Sequence, residues 1–178
     1  MQPIKKIVVI GPESTGKTTL CQALAQHYQT AWVPEFAREF LDANNNHYAY
    51  NDLLTIAKGQ IKGEDKIIDS GKVNHAVVFI DTDMYVMKVW CEFVFGNCHS
   101  WIIDQIVQRE YSFYLLCNTD LPWADDPLRE YPDLEVRETL FHMYKDILAN
   151  QRTPWIEISG IEEKRLNLAI KAVDALLQ

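Results

Sequence analysis

The sequence has no excess of basic residues and no long apolar run. Its 17 lysines and arginines are outnumbered by 25 aspartates and glutamates, which gives a net charge of −8. A nucleic-acid surface needs a basic face to replace condensed counterions, so no nucleic-acid partner is expected. No stretch approaches the ~20 apolar residues of a membrane span, and Met1 lies too close to the first predicted strand for a signal peptide. We therefore expect a cytoplasmic protein with no membrane partner.

Cysteine, glycine and proline are also sparse. The four cysteines show no C-x-x-C spacing, so neither a zinc site nor a disulfide framework is predicted. The seven glycines and seven prolines are scattered, and no repeat or flexible linker divides the chain. With 178 residues, of which 48% are hydrophobic, the chain is long enough for one good core and short for two. A single domain over residues 1–178 is the prediction.

The stretch GPESTGKTTL, residues 11–20, is the most informative motif. It matches G-x-x-x-x-G-K-[ST] between the apolar run IKKIVVI and a segment with helical periodicity. A glycine-rich turn at a helix N-terminus allows backbone N–H groups to bind phosphate. We predict that Lys17 contacts the β- and γ-phosphates and that the Thr18 hydroxyl is a magnesium ligand. The residues predicted to bind the nucleotide here are Gly11, Glu13, Ser14, Thr15, Gly16, Lys17, Thr18 and Thr19.

Five short apolar runs alternate with segments of helical spacing. They cover residues 7–10, 30–34, 76–80, 112–117 and 155–159. Alternation of this kind predicts an α/β fold, with a mainly parallel five-stranded sheet between layers of helices. Ligands bind such sheets at the carboxyl ends of the strands, so the residues that follow each run are candidate site residues.

Carboxylates follow the second and third predicted strands. Glu35, in EFAREF, either accepts a proton from an attacking hydroxyl or is a helix-terminal acid paired with Arg38. Asp81, in FIDTDM, ends an apolar strand, and a rigid carboxylate beside Thr18 is what a magnesium site needs. Asp83 either faces the same pocket or caps the next helix.

The segment after the fourth predicted strand is CNTDLPWADDPLREYPDLEVRETL. Its acids, prolines and two arginines, Arg129 and Arg137, predict a mobile lid over about residues 120–137, followed by a helix. The cations of the lid would neutralise charge on a transferred phosphoryl group. The alternative is an ordinary solvated loop with salt bridges to Asp125 and Asp126. One or two of the chain's aromatic residues, Trp123 of this segment among the candidates, could stack on a flat base.

Together these stretches resemble the ribosylnicotinamide kinase domain of the NadR family. The matching segments are GPESTGKTTL, EFAREF, FIDTDM and NTDLPWADDPLR, in that order along nearly the whole chain. The resemblance implies a P-loop NTPase fold and a kinase with Mg-ATP as donor and the 5′-hydroxyl of nicotinamide riboside as acceptor. It implies Mg²⁺ near Thr18 and Asp81, and catalytic roles for Lys17, Glu35, Asp81 and Arg129, the last also contacting ATP. The residues expected near the acceptor are Glu35, Arg38, Asp83 and Trp123.

The sequence also departs from that family and leaves alternatives. Multidomain members carry an adenylyl-transfer domain with an H-x-G-H signature, and some carry a DNA-binding helix-turn-helix; neither is predicted in residues 1–178. A different nucleoside or nucleotide kinase would use the same loop, metal site and lid. A regulatory ATPase module remains a further alternative, although Asp81 is followed by Thr82 and not by glutamate. Guanine selectivity is unsupported because Asn118-Thr119-Asp120 lacks the lysine of N-K-x-D.

Overall fold

Five parallel strands form one sheet in a computed structural model, which describes residues 3–74 and 77–178. The strands lie in the order β2-β3-β1-β4-β5, and each neighbouring pair is parallel. Their bounds are β1 Lys5–Ile10, β2 Trp32–Val33, β3 Val77–Asp81, β4 Phe113–Cys117 and β5 Trp155–Ile158. The predicted α/β fold with a mainly parallel, five-stranded sheet is confirmed, whereas Met1 and Ala76 lie outside the described residues.

Seven helices connect and cover the strands in the described ranges. They are α1 Lys17–His27, α2 Phe36–Ala43, α3 Tyr50–Asp69, α4 Met84–Phe95, α5 Ser100–Gln108, α6 Leu134–Ala149 and α7 Glu162–Leu177. None of the helices in this described part of the chain combines the length and apolar character needed to cross a bilayer. The predicted single domain over residues 1–178 stays a prediction.

Strand β2 is shorter than its apolar run predicts. The predicted strand covered residues 30–34, but the ladder forms only at Trp32 and Val33. At the start of the run, the Thr30 hydroxyl donates to the Val77 carbonyl at 2.7 Å, so a side chain makes the contact there. At the end, Pro34 has no N–H to donate. The strand therefore ends early, and Glu35 follows immediately at the edge of the sheet.

Side chains alternate between the two faces of the sheet and fill two separate apolar clusters. One face, including Val9 and Leu115, packs against α1 and α7. The opposite face, including Val8 and Leu116, packs against α4 and α6. A third cluster joins α2, α3, α4 and α5 beside the sheet edge that carries β2. This packing fixes the carboxyl ends of β1, β2, β3 and β4 on one side of the molecule.

Helices α2 and α3 approach each other closely at Gly59. A Cβ atom placed on Gly59 would lie 2.2 Å from the Phe36 ring, which begins α2. The next residue, Gln60, accepts a hydrogen bond from Phe36 N at 2.8 Å and donates to the carbonyls of Asp81 and Thr82, both at 3.2 Å. Gln60 is 2% exposed. This buried amide fixes the start of α2, where Glu35 lies, relative to the end of β3.

We expect Gly59→Ala to destabilise the protein by roughly 1–2 kcal/mol, because overpacking outweighs the gain in helix propensity. Gly63→Ala is the matched control, since nothing lies within 4 Å of a Cβ at Gly63 in the same helix. That control should stabilise the fold by about 0.5–1 kcal/mol. Urea unfolding of both variants measures the difference, and equal stabilisation by the two alanines would contradict the close contact.

Candidate active site

The loop between β1 and α1, together with the first two residues of α1, is called the phosphate loop, residues 11–18. Gly11 adopts a φ of 143°, and a Cβ there would lie 2.7 Å from the Cys117 carbonyl oxygen, so this position requires glycine. Gly16 precedes α1 with a φ of 75°. Thr15 Oγ1 and Lys17 Nζ both donate to the Pro12 carbonyl, at 2.8 and 2.9 Å. These two hydrogen bonds fold the loop back toward Pro12 and fix the position of the Lys17 side chain.

Two buried arginines hold the carbonyl oxygens of the phosphate loop. Arg137, 3% exposed, donates through Nη2 to Ser14 O at 3.2 Å and through Nε to Glu13 O at 3.3 Å. Arg165, 5% exposed, donates through Nη2 to Thr15 O at 2.7 Å. Both side chains satisfy acceptors that would otherwise be buried without partners. They also place positive charge behind the loop.

The lid prediction needs a correction at its C-terminal end. Helix α6 begins at Leu134 after the Asp133 N-cap, so the irregular part ends there and is called the lid segment, residues 120–133. Arg137 belongs to the first turn of α6 and does not extend over the cavity with Arg129. Its guanidinium is instead committed to the phosphate loop. The sequence predicted a helix after the lid but placed Arg137 with the lid and not in the first turn of that helix.

Thr18 and Asp81 contact each other as the sequence predicts. Thr18 Oγ1 donates to Asp81 Oδ2 at 2.5 Å, and Asp81 is fully buried. The other oxygen, Oδ1, is buried and has no hydrogen-bond partner among the described residues. Burial raises the pKa of Asp81, while Lys17 and the Thr18 hydroxyl oppose that effect. A hydroxyl and a carboxylate with an unused buried oxygen fit an oxygen-ligated divalent cation.

Glu35 follows β2 and Pro34 and lines the same cavity as Lys17 and Thr18. It occupies the N-cap position of α2, but its side chain makes no capping hydrogen bond there. Burial in the wall, followed by the nearby charge of Asp81, raises the pKa of Glu35 to about 7, although Lys17 and Arg38 lower it. A carboxyl group with this pKa changes protonation state near neutral pH, which suits a general base.

One cavity brings together most of the predicted site residues. Its described lining includes Gly11, Glu13, Ser14, Thr15, Gly16, Lys17, Thr18, Thr19, Glu35, Arg38 and Arg129. Another part of the lining, called the aromatic wall, is apolar and aromatic, with Val86, Trp90, Phe93 and Tyr131. The phosphate loop and the aromatic wall therefore share one cavity, with Glu35 and Arg38 also in its lining.

Two residues predicted near the acceptor are placed elsewhere. Asp83 is 2% exposed and caps α4 by accepting from Tyr85 N at 3.0 Å, while Tyr114 Oη donates to it at 2.7 Å. It is not among the described residues that line the cavity, so capping is the role the structure shows. Trp123 lines a separate groove, with its ring 5.8 Å from the Arg129 and Arg137 guanidinium groups. Its indole N–H donates to Asp125.

The lid segment lies against the cavity through several polar contacts. Arg38 Nη1 is 3.0 Å from Asp126 Oδ2, which joins α2 to the lid segment. Arg129 donates to the Ala124 carbonyl and, at 3.4 Å, to Ser14 Oγ of the phosphate loop. Arg129, which is partly buried, also lies 3.9 Å from Asp126, a salt bridge expected under the alternative of an ordinary solvated loop. Arg129, which was expected over the transferred group, and Arg38, which was expected near the acceptor, therefore both line the cavity.

Comparison with known proteins agrees with this geometry. The family model described as AAA domain matches residues 6–165. The chain belongs to this family. It is also similar to the trifunctional NAD biosynthesis/regulator protein NadR of Escherichia coli, with 26% identity over 165 residues. That match covers 90% of this chain and 39% of the relative, so the chain spans about two-fifths of the curated relative's length.

Solved structures support the fold. A NadR protein in complex with NR superposes with a TM-score of 0.82 and 24% identity, covering 98% of this chain and 50% of that one. A thymidylate kinase from Ehrlichia chaffeensis superposes with a TM-score of 0.68 and 16% identity, covering 99% and 100% of the two chains. The resemblance to NadR and the predicted P-loop fold are thereby confirmed. The roles of individual site residues stay predictions.

Sequence reasoning missed Arg165 and Gln60. Neither belongs to a local motif, and each acts through contacts with residues far away in the chain. Their only sequence signal is a polar residue on a helix face that otherwise packs inward. Arg165, for example, lies four residues before the buried Ala169 of α7. That signal alone does not identify the partner.

We expect Arg165→Met to destabilise the fold by ~2–3 kcal/mol. The change leaves the Thr15 carbonyl unpaired and breaks the ion pair with Asp120, at 2.9 Å, although Asp120 is a third exposed and keeps some hydration. Arg152→Met is the matched control, since Arg152 is exposed; its effect should stay within about 0.5 kcal/mol. Thermal and urea unfolding measure both variants. Equal effects would contradict the role of Arg165 in holding the phosphate loop.

Proposed function

We propose that the chain is an ATP-dependent kinase that phosphorylates the 5′-hydroxyl of nicotinamide riboside to give nicotinamide mononucleotide. The observation that carries this proposal is the placement of Glu35 in one cavity with Lys17 and an aromatic wall. A phosphoryl donor at one end and a nucleoside at the other would meet beside that carboxylate. The similarity to NadR, and a NadR structure in complex with NR, support this acceptor class.

The phosphate loop is the proposed site for ATP. Its backbone N–H groups and the N-terminus of α1 would bind the β- and γ-phosphates, and Lys17 would neutralise their charge. Thr18 and Asp81 would hold Mg²⁺, for which the unused Asp81 Oδ1 is the fitting observation. When bound, Mg²⁺ would supply charge neutralisation on the phosphate oxygens. Arg129 would add a second cation from the lid segment.

Glu35 is the proposed general base for the acceptor. Its ionised carboxylate takes the proton of the 5′-hydroxyl as the oxygen attacks the γ-phosphorus. The new O5′–P bond forms, the bond from that phosphorus to the bridging oxygen breaks, and ADP leaves with the electron pair. Lys17 and Arg129 stabilise the charge that spreads over the transferred group. Arg38, in the same wall, would contact the acceptor or keep the lid segment in place through Asp126.

The aromatic wall is the proposed binding site for the nicotinamide ring. Trp90, Phe93 and Tyr131 line this end, and the carboxylates of Glu35 and Glu130 line the same cavity. Contact with an aromatic face contributes about 1–2 kcal/mol of binding free energy to a flat cationic pyridinium when the contact is desolvated. Nearby negative charge also favours binding of the cation. This wall replaces Trp123 as the expected stacking surface, because Trp123 does not lie in the described lining of the cavity.

Another nucleoside or nucleotide kinase is the second candidate. The thymidylate kinase has the same fold over the whole of both chains, and its acceptor class would use the same phosphate loop and metal ligands. The cationic ring of the acceptor is what separates the two candidates. The aromatic wall, with Glu130 in the lining of the same cavity, favours a cation over a neutral base or a phosphorylated nucleoside.

The deciding experiment compares kcat/KM for nicotinamide riboside with the values for uridine, cytidine and thymidine monophosphate at fixed Mg-ATP, read by product mass. We expect at least a tenfold preference for nicotinamide riboside, or about 1.4 kcal/mol of transition-state binding. A tenfold preference for any neutral or phosphorylated acceptor would reject this acceptor and leave the kinase proposal in place. Phosphate release into water with every acceptor would instead support an ATPase module.

Glu35 should give the reaction a pH dependence. Because its pKa is raised to about 7 and the base must be ionised, kcat/KM for the acceptor should rise about tenfold per pH unit below that value and level off above it. Glu35→Gln should lower kcat by ~10²-fold or more, preserve KM for ATP, and remove the inflection. Loss of ATP affinity with turnover preserved would assign Glu35 to the nucleotide instead.

An independent check uses stability. A carboxyl whose folded pKa is raised stabilises the fold only while it is protonated, and this contribution is lost as pH rises from its unfolded pKa through about 7. Glu35→Gln should therefore raise the melting temperature relative to the parent more above pH 7 than below pH 5. The same difference at both pH values would indicate that burial does not raise the pKa.

A further inference from the structure

Glu13 contacts the lid segment through its side chain. Its Oε2 atom accepts from Glu130 N at 2.9 Å and from Tyr131 N at 3.0 Å. Two N–H groups on one carboxylate oxygen are charge-assisted hydrogen bonds, which are stronger than neutral ones. The sequence predicted Glu13 as a nucleotide contact because it lies in the phosphate-loop motif. One oxygen of its carboxylate is held by the backbone of the lid segment, and its contact with the nucleotide stays a prediction.

Glu130 continues this connection toward the aromatic wall. Its Oε2 accepts from Tyr48 Oη at 2.7 Å, and Tyr48 Oη in turn accepts from the indole N–H of Trp90 at 3.1 Å. The Tyr48 hydroxyl therefore uses its donor and an acceptor site at once. The Tyr48 and Trp90 rings also pack edge to face, with centroids 5.0 Å apart. Trp90, Tyr48 and the Glu130 side chain are thus hydrogen-bonded in series, and the backbone N–H of Glu130 continues the connection to Glu13 of the phosphate loop.

Tyr48 and Glu13 reach opposite sides of the same lid residue. Tyr48 belongs to the connection between α2 and α3, whereas Glu13 follows β1. Glu130 is joined to one by its side chain and to the other by its backbone. Arg38 and Asn46 hold an earlier part of the lid segment, through Asp126 and the Pro127 carbonyl. The end of the lid segment, where the cavity lining includes Glu130 and Tyr131, therefore depends on Glu13 and Tyr48.

We propose that Glu13, Tyr48 and Glu130 form a latch that couples the aromatic end of the cavity to closure of the lid segment over the phosphate loop. A ring bound against Trp90 restricts the indole, which orients the Tyr48 hydroxyl and, through Glu130, the lid segment. Glu13 and Tyr48 are thus positioning residues that act through the lid. The latch itself is independent of the proposed kinase function, whereas its effect on phosphoryl transfer rests on that function.

The consequence for transfer concerns water. When the latch is closed, the lid segment shields the γ-phosphate, so the attacking oxygen is that of the bound acceptor. When it is open, water can attack the same phosphorus, giving ADP and inorganic phosphate with the proton released to solvent. When the latch is broken, the chain should therefore form more ADP than phosphorylated acceptor.

The first test measures residue-resolved hydrogen exchange of the full chain without added ligand. Glu13→Met keeps the length of the side chain and removes its acceptors, so the amides of Glu130 and Tyr131 should exchange roughly tenfold faster. Glu13→Gln, which retains an acceptor oxygen, should restore part of the protection. Tyr48→Phe keeps the ring packing and removes the hydroxyl, and should also accelerate exchange at Glu130.

Tyr28→Phe is the matched control. It removes another tyrosine hydroxyl that donates to a carboxylate at 2.7 Å, that of Asp174 on α7, and should leave exchange at Glu130 and Tyr131 unchanged. Parent-like exchange in both Glu13→Met and Tyr48→Phe, or acceleration spread equally over the whole sheet, would overturn the latch. Protection lost in Glu13→Met alone would also overturn it, because Tyr48 would then play no part.

The second test uses Mg-ATP and nicotinamide riboside and compares ADP formed with nucleotide produced. Tyr48→Phe should raise that ratio several-fold and raise KM for the acceptor more than KM for ATP. A ratio equal to that of Tyr28→Phe would overturn the coupling. If no nucleoside is phosphorylated by the parent chain while the exchange results hold, the proposed function fails and the structural latch stands.

Discussion

The carbonyl oxygens of the phosphate loop need buried hydrogen-bond donors, and two guanidinium groups supply them. Arg137 reaches the loop from the start of α6, and Arg165 reaches it from α7. Helices that follow β4 and β5 thereby determine the shape of a loop that follows β1. Because the arginines bind the carbonyl oxygens of the loop, its backbone N–H groups can face an anion. The positions of Lys17 and Thr18 depend on this support from distant parts of the chain.

Two carboxylates near the loop differ because their surroundings differ. Asp81 ends a fully buried strand and accepts the Thr18 hydroxyl, so its orientation is fixed by the core. Glu35 follows an edge strand of two residues and is positioned through the Gln60 amide and the packing of α2 on α3. The first environment suits a fixed metal ligand, and the second suits a group that exchanges a proton with a bound molecule.

The sequence was sufficient for the parts of the site that are local. The phosphate loop, Asp81 at the end of β3 and Glu35 before α2 follow from short motifs and strand patterns, so their positions were predicted correctly. Arg165, Gln60 and Tyr48 were missed because their roles arise from contacts between elements far apart in the chain.

The sequence left two possible roles open for Asp83 and grouped Arg137 with the lid. Asp83 caps α4 because Tyr114, on the neighbouring part of the fold, reaches its other oxygen and fills the space on that side. Arg137 contacts the phosphate loop and not the cavity because α6 begins three residues earlier. Neither result depends on the residue's immediate neighbours alone. The partner is known only when the strands and helices are placed together.

Two of the apolar clusters meet at the aromatic wall of the cavity. Val86, Phe93 and Tyr131 belong to the cluster on the α4 and α6 face of the sheet, whereas Trp90 packs with the third cluster, among α2, α3, α4 and α5. Substitutions in the third cluster can reshape the Trp90 side of that wall while the sheet keeps its packing. A lineage that keeps the same donor machinery can therefore diversify its choice of acceptor by local repacking, without rebuilding the part of the protein that handles the nucleotide.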